Sequence, residues 1–193
     1  MTAVRRTQAE RSASTRALLI GAAIDSLDER GWAATTSVEV CARAGLTRGA
    51  FVHHFDSLPD LLAAALQSIY EDSPTPVGPR PSTLADAINA TWHAIANRHF
   101  KAVIEAWLAM ANDPELAAVI GPVVAEFAAR VNPKPSSSDV LGTPERRAYY
   151  LMAREAMLGL ALGRATNGGK PLGHEASVLK TLRAGAARID NSA

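Results

Sequence analysis

The sequence predicts an all-α protein in which an N-terminal helix-turn-helix unit precedes a helical C-terminal domain, with about nine helices in total. Three observations carry that prediction. Thirty-eight of the 193 residues are alanine, the strongest helix former and a poor strand former. Apolar residues recur at three- and four-residue spacing between well-marked breaks, and no alternating run or hairpin dipeptide interrupts them. At several points a hydroxyl residue stands three positions ahead of a carboxylate, the signature of a capped helix start.

Taken in order, the first helix spans Thr15 to Arg30, where Leu19, Ala22, Ala23 and Leu27 trace one face. Thr36 ahead of Glu39 opens a helix from Ser37 to Ala44, and Thr47 opens another from Arg48 to Phe55. Ser57 ahead of Asp60 starts a helix from Leu58 to Glu71. The stretch Ser73 to Ser82, with four prolines and one glycine, cannot be helical and reads as a hinge. Thr83 ahead of Asp86 then begins a helix from Leu84 to Arg98, followed by Phe100 to Asn112. Asp113-Pro114 and Thr143-Pro144 place proline in a first turn, where its missing N–H costs nothing, and start helices to Val131 and Thr166. A last helix runs from His174 to Asp190. The expected domains are residues 1–72, a linker 73–82 and residues 83–193.

Composition narrows the function. Hydrophobic residues make up 48% and charged residues 20%, an ordinary balance for a globular chain and not that of a disordered one. Twenty basic against nineteen acidic residues give +1, so any contact with nucleic acid must be local rather than a bulk positive field. The single cysteine, Cys41, excludes an internal disulfide and a cysteine-rich zinc site. The histidines at 53, 54, 93, 99 and 174 have no metal-ligand spacing, and no metal or cofactor is expected. The apolar run Ala17 to Ile24 meets Asp25, Asp28, Glu29 and Arg30 at once, so it is one face of a helix and neither a signal peptide nor a membrane span. The reading is cytoplasmic. Nucleophile elbow, dinucleotide fingerprint, phosphate loop and zinc-protease spacing are all missing from the sequence, which argues against an enzyme.

The informative stretch is SVEVCARAGLTRGAFVHHF, Ser37 to Phe55. A short helix ends at Ala44, Gly45 makes the bend, and Thr47 caps a second short helix. This is helix-turn-helix spacing. Val40, Ala44, Leu46 and Phe51 face inward, while Arg48, Gly49, Ala50, His53 and His54 lie toward the open side or the helix end. A helix fits the major groove and reads base edges with its N-terminal residues, where Arg48 stands.

The run Leu19 to Leu62 resembles the DNA-binding domain of the TetR family of bacterial transcriptional regulators. The features that match in order and spacing are Gly31-Trp32, Ala44-Gly45, Thr47-Arg48-Gly49 and His54-Phe55. The resemblance implies a homodimer that holds a palindromic operator in double-stranded DNA, and a C-terminal domain that pairs subunits and binds a small molecule. It further implies a repressor released by that molecule. Thr36, Thr47, Arg48, Gly49, Ala50 and His53 are the expected DNA-contacting residues. Family members commonly carry tyrosine where this chain has Val52 and lysine where it has Leu58, and both can touch phosphate. The N-terminal segment would compensate, since Arg5, Arg6, Arg11 and Arg16 against Glu10 sum to +3, with Arg5 and Arg6 foremost. The competing reading, which the two missing anchors keep open, is a helical small-molecule-binding or adaptor protein that no longer binds an operator.

In the second part, Trp92, His93, Trp107, Met110, Phe127, Tyr149 and Met152 are the expected lining of a mostly apolar effector cavity with a few polar groups. The last two helices are expected to form the dimer seam. Ala148, Leu151, Met152, Glu155, Gly159 and Leu162 trace one stripe, Gly163 permits close approach, and Leu179, Leu182, Ala186 and Ile189 trace another. Paired about a two-fold axis, these helices would make a four-helix interface.

Overall fold

The computed structural model describes residues 7–72, 81–131 and 140–192, the side chains of 128–131 excepted. Among the described residues all regular structure is helical. The helices are α1 (Gln8–Arg30), α2 (Ser37–Ala44), α3 (Arg48–His54), α4 (Leu58–Asp72), α5 (Leu84–Ile95), α6 (Phe100–Asn112), α7 (Pro114–Val131), α8 (Pro144–Thr166) and α9 (Glu175–Asn191), with a 3-10 turn at Trp32–Ala34. No helix among the described residues is long and apolar enough to cross a membrane.

The caps read from the sequence form. Thr36, Thr83 and Thr143 accept hydrogen bonds from the backbone N–H groups of Glu39, Asp86 and Arg146, and Ser57 accepts from Asp60. One start differs. α1 begins at Gln8, seven residues before the predicted Thr15, because Thr7 and Glu10 make a full capping box. Arg11 and Arg16 therefore ride on a helix, while Arg5 and Arg6 lie outside the described residues.

The chain divides into two compact units, Met1–Asp72 with Ala102–Phe127, and Ser73–Lys101 with Ala128–Ala193. The expected split, 1–72 against 83–193, is thereby corrected for residues 102–127. The reason lies in their packing. Ala102, Val103 and Ala106 of α6 and Leu116 and Ile120 of α7 join Leu19, Leu27, Leu61, Leu66 and Ile69 in one buried cluster. The Trp107 indole N–H donates to the Tyr70 hydroxyl at 3.4 Å, and the Tyr70 ring stacks on Phe127 with centroids 3.9 Å apart.

The second unit is built on α5, α8 and α9. Asp190 of α9 accepts from the Leu84 and Ala85 N–H groups at 3.0 and 3.2 Å, closing the start of α5, and pairs with Arg146 of α8 at 3.2 Å. Arg164 of α8 holds the buried Glu175 through both carboxylate oxygens and lies over the Trp92 ring, 5.3 Å from its centroid. Thr91 and Tyr150 share a hydroxyl contact at 2.8 Å. Met157, Leu84 and Ile88 are fully buried at the centre.

Candidate nucleic-acid interface

α2 and α3 form the predicted helix-turn-helix. Gly45 takes the left-handed conformation, φ 64° and ψ 32°, and its N–H closes on the Ala42 and Cys41 carbonyls. A residue with a Cβ would pay strain in that bend. The Cys41 thiol donates to the Thr47 carbonyl at 3.8 Å, so its small size brings the two helices together, and the Thr47 hydroxyl accepts from the Ala50 N–H at 3.2 Å. Val40 and Phe51 are buried, and Ala44 and Leu46 pack against the same core. Burial of Phe51 sets the roll of α3 about its own axis and so decides which residues face out.

Arg48, Gly49 and His53 are exposed, and Ala50 is half-buried. His53 stands edge-on to the half-buried His54, their ring centroids 5.0 Å apart. Thr36 and Thr47 are also exposed. Each accepts a backbone hydrogen bond with its hydroxyl oxygen and keeps the hydroxyl proton to donate outward. Arg48 forms no ion pair among the described residues, whereas the arginines of the neighbouring corner are committed. Arg30 pairs with Glu39 at 2.9 Å, and Arg43 pairs with Glu29 at 2.8 Å and Glu39 at 3.3 Å. The hydrogen bond from Arg43, reinforced by its charge, holds the Glu29 carboxyl below the usual carboxylate range. These ion pairs hold α1 to α2 and leave Arg48 as an available guanidinium on α3.

Two features of this face were not singled out from the sequence as surface. Val38 on α2 and Val52 on α3 are 71% and 56% exposed. Val52 stands where family members commonly carry tyrosine, and exposed β-branched residues on short helices look, in sequence, like core. Arg16 is also placed close to this unit, its guanidinium 4.9 Å from the centroid of the Phe55 ring at the end of α3.

The seven residues expected to line an effector cavity do not gather in one unit. Trp107, Met110 and Phe127 belong to the first, where they pack against the helix-turn-helix core. Of those in the second, Trp92 is buried beneath Arg164, and the Tyr149 hydroxyl donates to the Leu182 carbonyl at 2.9 Å. His93 is exposed, its Nδ1 2.7 Å from the Asn89 carbonyl, and Met152 is 55% exposed. A shallow depression of about 390 Å³ lies on α1 and α2 between Leu18, Gly21, Asp25 and Arg43 and contains none of the seven. Among the described residues no group of three or more histidine, cysteine, aspartate or glutamate side chains converges as metal ligands would.

The expected dimer seam separates into two parts. Ala148, Leu151, Met152, Glu155, Gly159 and Leu162 are all exposed along α8, and nothing lies within 4 Å of where a Cβ on Gly159 would stand. Leu179 and Leu182 are corrected, because both are buried against α5 and α8 inside their own unit. Ile189 is half-buried, and Gly163 faces the Leu172 side chain. α9 thus spends its apolar stripe on the interior.

Comparison with known proteins agrees with this architecture. Residues 19–65 match the model of the bacterial regulatory proteins, tetR family. The chain is 44% identical over 71 residues to the HTH-type transcriptional regulator CymR of Pseudomonas putida, a match covering 37% of this chain and 35% of that relative. It thus spans about a third of that relative's length. It is 28% identical over 156 residues to the HTH-type transcriptional regulator BetI of Burkholderia mallei, covering 76% and 75%. A transcriptional regulator from Rhodococcus sp. Rha1 has the same fold, with a TM-score of 0.68 at 21% identity over 90% of this chain and 96% of the other.

Proposed function

We propose that this chain, which belongs to the tetR family of bacterial regulatory proteins, is a cytoplasmic homodimeric repressor that grips a palindromic operator and leaves it when a small, largely apolar effector binds its C-terminal helices. The observation that carries the reading is the uncommitted Arg48 on the exposed side of α3, held outward by the burial of Phe51. A guanidinium there can pair in bidentate fashion with guanine O6 and N7. Gly49 and Ala50 keep the helix surface low beside it, and Val52 offers an apolar surface of the kind that meets a thymine methyl. Thr36, Thr47 and His53 supply donors for phosphate, with Arg5 and Arg6 adding charge from the N-terminal segment.

A dimer places two such helices on successive major grooves when they stand roughly 34–36 Å apart. An effector that prefers a dimer of different spacing weakens operator binding by its differential affinity, and a tenfold loss needs about 1.4 kcal/mol of coupling. A helical ligand-binding protein without operator binding is the second reading, favoured by the apolar Val52 and Leu58 at positions where phosphate anchors are expected.

The test is a mobility-shift titration with the DNA upstream of the protein's own gene, against a scrambled duplex at fixed salt. Arg48→Ala should cost about 1–3 kcal/mol at the operator. A wild-type protein that prefers no sequence would transfer the case to the second reading, and an Arg48→Ala protein that binds as tightly as wild type would remove Arg48 from the interface.

A further inference from the structure

We infer that Glu105 of α6 is a positioning residue for operator reading, holding the backbone corner from which α2 and α3 depart. The inference rests on the DNA-binding reading above. The Trp32 N–H donates to Glu105 Oε2 at 2.6 Å, across 73 residues of sequence. A carboxylate on the first amide of a 3-10 turn is a charge-assisted contact at the positive end of that turn. The seat is shaped for it. Gly31, just before Trp32, has φ 80°, and a Cβ built there would lie 2.8 and 3.1 Å from the two carboxylate oxygens. Glycine therefore satisfies two demands at once, the left-handed backbone and the close approach of Glu105.

The helix that presents the carboxylate is itself fixed, with Ala102 and Ala106 fully buried and Trp107 bonded to Tyr70. Local polar ties also shape this corner. The Thr35 hydroxyl donates to the Gly31 carbonyl at 2.9 Å and meets Ser26 at 3.0 Å, and the Arg30–Glu39 and Arg43–Glu29 pairs join α1 to α2. Those ties fix the corner's internal shape, whereas Glu105 ties it to α6. Thr36 caps α2 directly after the turn, so a tilt at the corner is carried through α2 to Arg48, and base-edge contacts survive only small misplacements.

The experiment measures affinity of the full chain for labelled upstream DNA and for a scrambled duplex, at one salt concentration, by anisotropy. Glu105→Ala should lower the operator-to-scrambled ratio about tenfold, the size of one charge-assisted hydrogen bond. Glu105→Gln, which keeps a carbonyl acceptor without the charge, should recover part of the loss and remain about threefold below wild type. The Trp32 amide should exchange with solvent faster in both. A lower melting temperature with an unchanged ratio would mean that Glu105 only stabilises the fold, and would overturn the proposal. If Glu105→Ala does not fold, the Glu105→Gln ratio decides, and equality with wild type overturns it. Wild-type protein without sequence preference would defeat the DNA-binding reading itself; a wild-type preference that both variants retain would defeat the role of Glu105 alone.

Discussion

Replacing Leu162 by glutamate should dissociate the proposed dimer while leaving the protomer folded. Leu151, Met152 and Leu162 are 41%, 55% and 47% exposed along one face of α8. Full burial of such a side chain is worth about 1.5–3 kcal/mol, so covering the open half of Leu162 contributes about 1 kcal/mol. In an isologous interface every residue counts twice, which makes the loss about 2 kcal/mol per dimer, or roughly a 30-fold weaker dissociation constant. An unpaired carboxylate at the seam adds to this, so 30-fold is a lower bound. Sedimentation equilibrium from nanomolar to high micromolar protein measures it, with far-UV circular dichroism checking the fold. The same charge at Ala118, exposed on α7, controls for repulsion away from the stripe. A Leu162→Glu protein that dimerises as tightly as wild type would refute the assignment of this face, as would a wild-type chain that stays monomeric throughout.

Two further outcomes concern stability. Arg164→Ala strands the buried Glu175 carboxylate and should cost about 2–3 kcal/mol, below the usual cost of breaking a buried pair because the guanidinium is partly exposed; urea unfolding measures it, and Glu175→Gln in the same background should recover part of the loss. Burial raises the Tyr70 hydroxyl above its ordinary 10.0, only partly opposed by the hydrogen bond from Trp107. The unfolded chain therefore ionises Tyr70 first, and the stability it confers is complete below pH 10 and drains away as pH climbs from there through the folded value. Urea midpoints between pH 8.5 and 11 should fall more steeply for wild type than for Tyr70→Phe, and parallel curves would count against the burial argument.

The parts of the structure legible in the sequence were those governed by local chemistry. Thr36, Thr83 and Thr143 cap because a hydroxyl three residues ahead of an N–H can reach it whatever the rest of the chain does. Gly45 turns because the bend needs a positive φ, a requirement confined to one residue. The early start of α1 was legible by the same rule in Thr7 and Glu10, but residues 8 to 16 are nearly all exposed and carry no apolar period to announce a helix. The grouping of α6 and α7 with the N-terminal helices was not legible, because an apolar face at helical spacing states that something is covered and not by what. Trp107, Met110 and Phe127 satisfy the pattern of a pocket lining and the pattern of a core equally well, and only their contacts with Tyr70 and the helix-turn-helix cluster decide between the two. Glu105 is the extreme case, the one carboxylate of α6, which accepts from a backbone N–H 73 residues away.

The last two helices show how such an ambiguity can be reduced. α9 has one apolar stripe, and its other face carries Ser177, Lys180, Thr181 and Arg188, all exposed. A helix with a single stripe must use it to bury itself, which is where Leu179 and Leu182 go. α8 differs, because Tyr150, Ala153, Met157, Leu160 and Ala161 are buried on one side while Leu151, Met152, Gly159 and Leu162 line another. A helix apolar on both sides needs covering on both sides, and among the described residues α5 and α9 pack on its inner side while Leu151, Met152 and Leu162 stay exposed. Counting stripes, rather than finding them, is what separates the outer face of α8, open to the proposed partner, from the stripe of α9, which is buried in the interior.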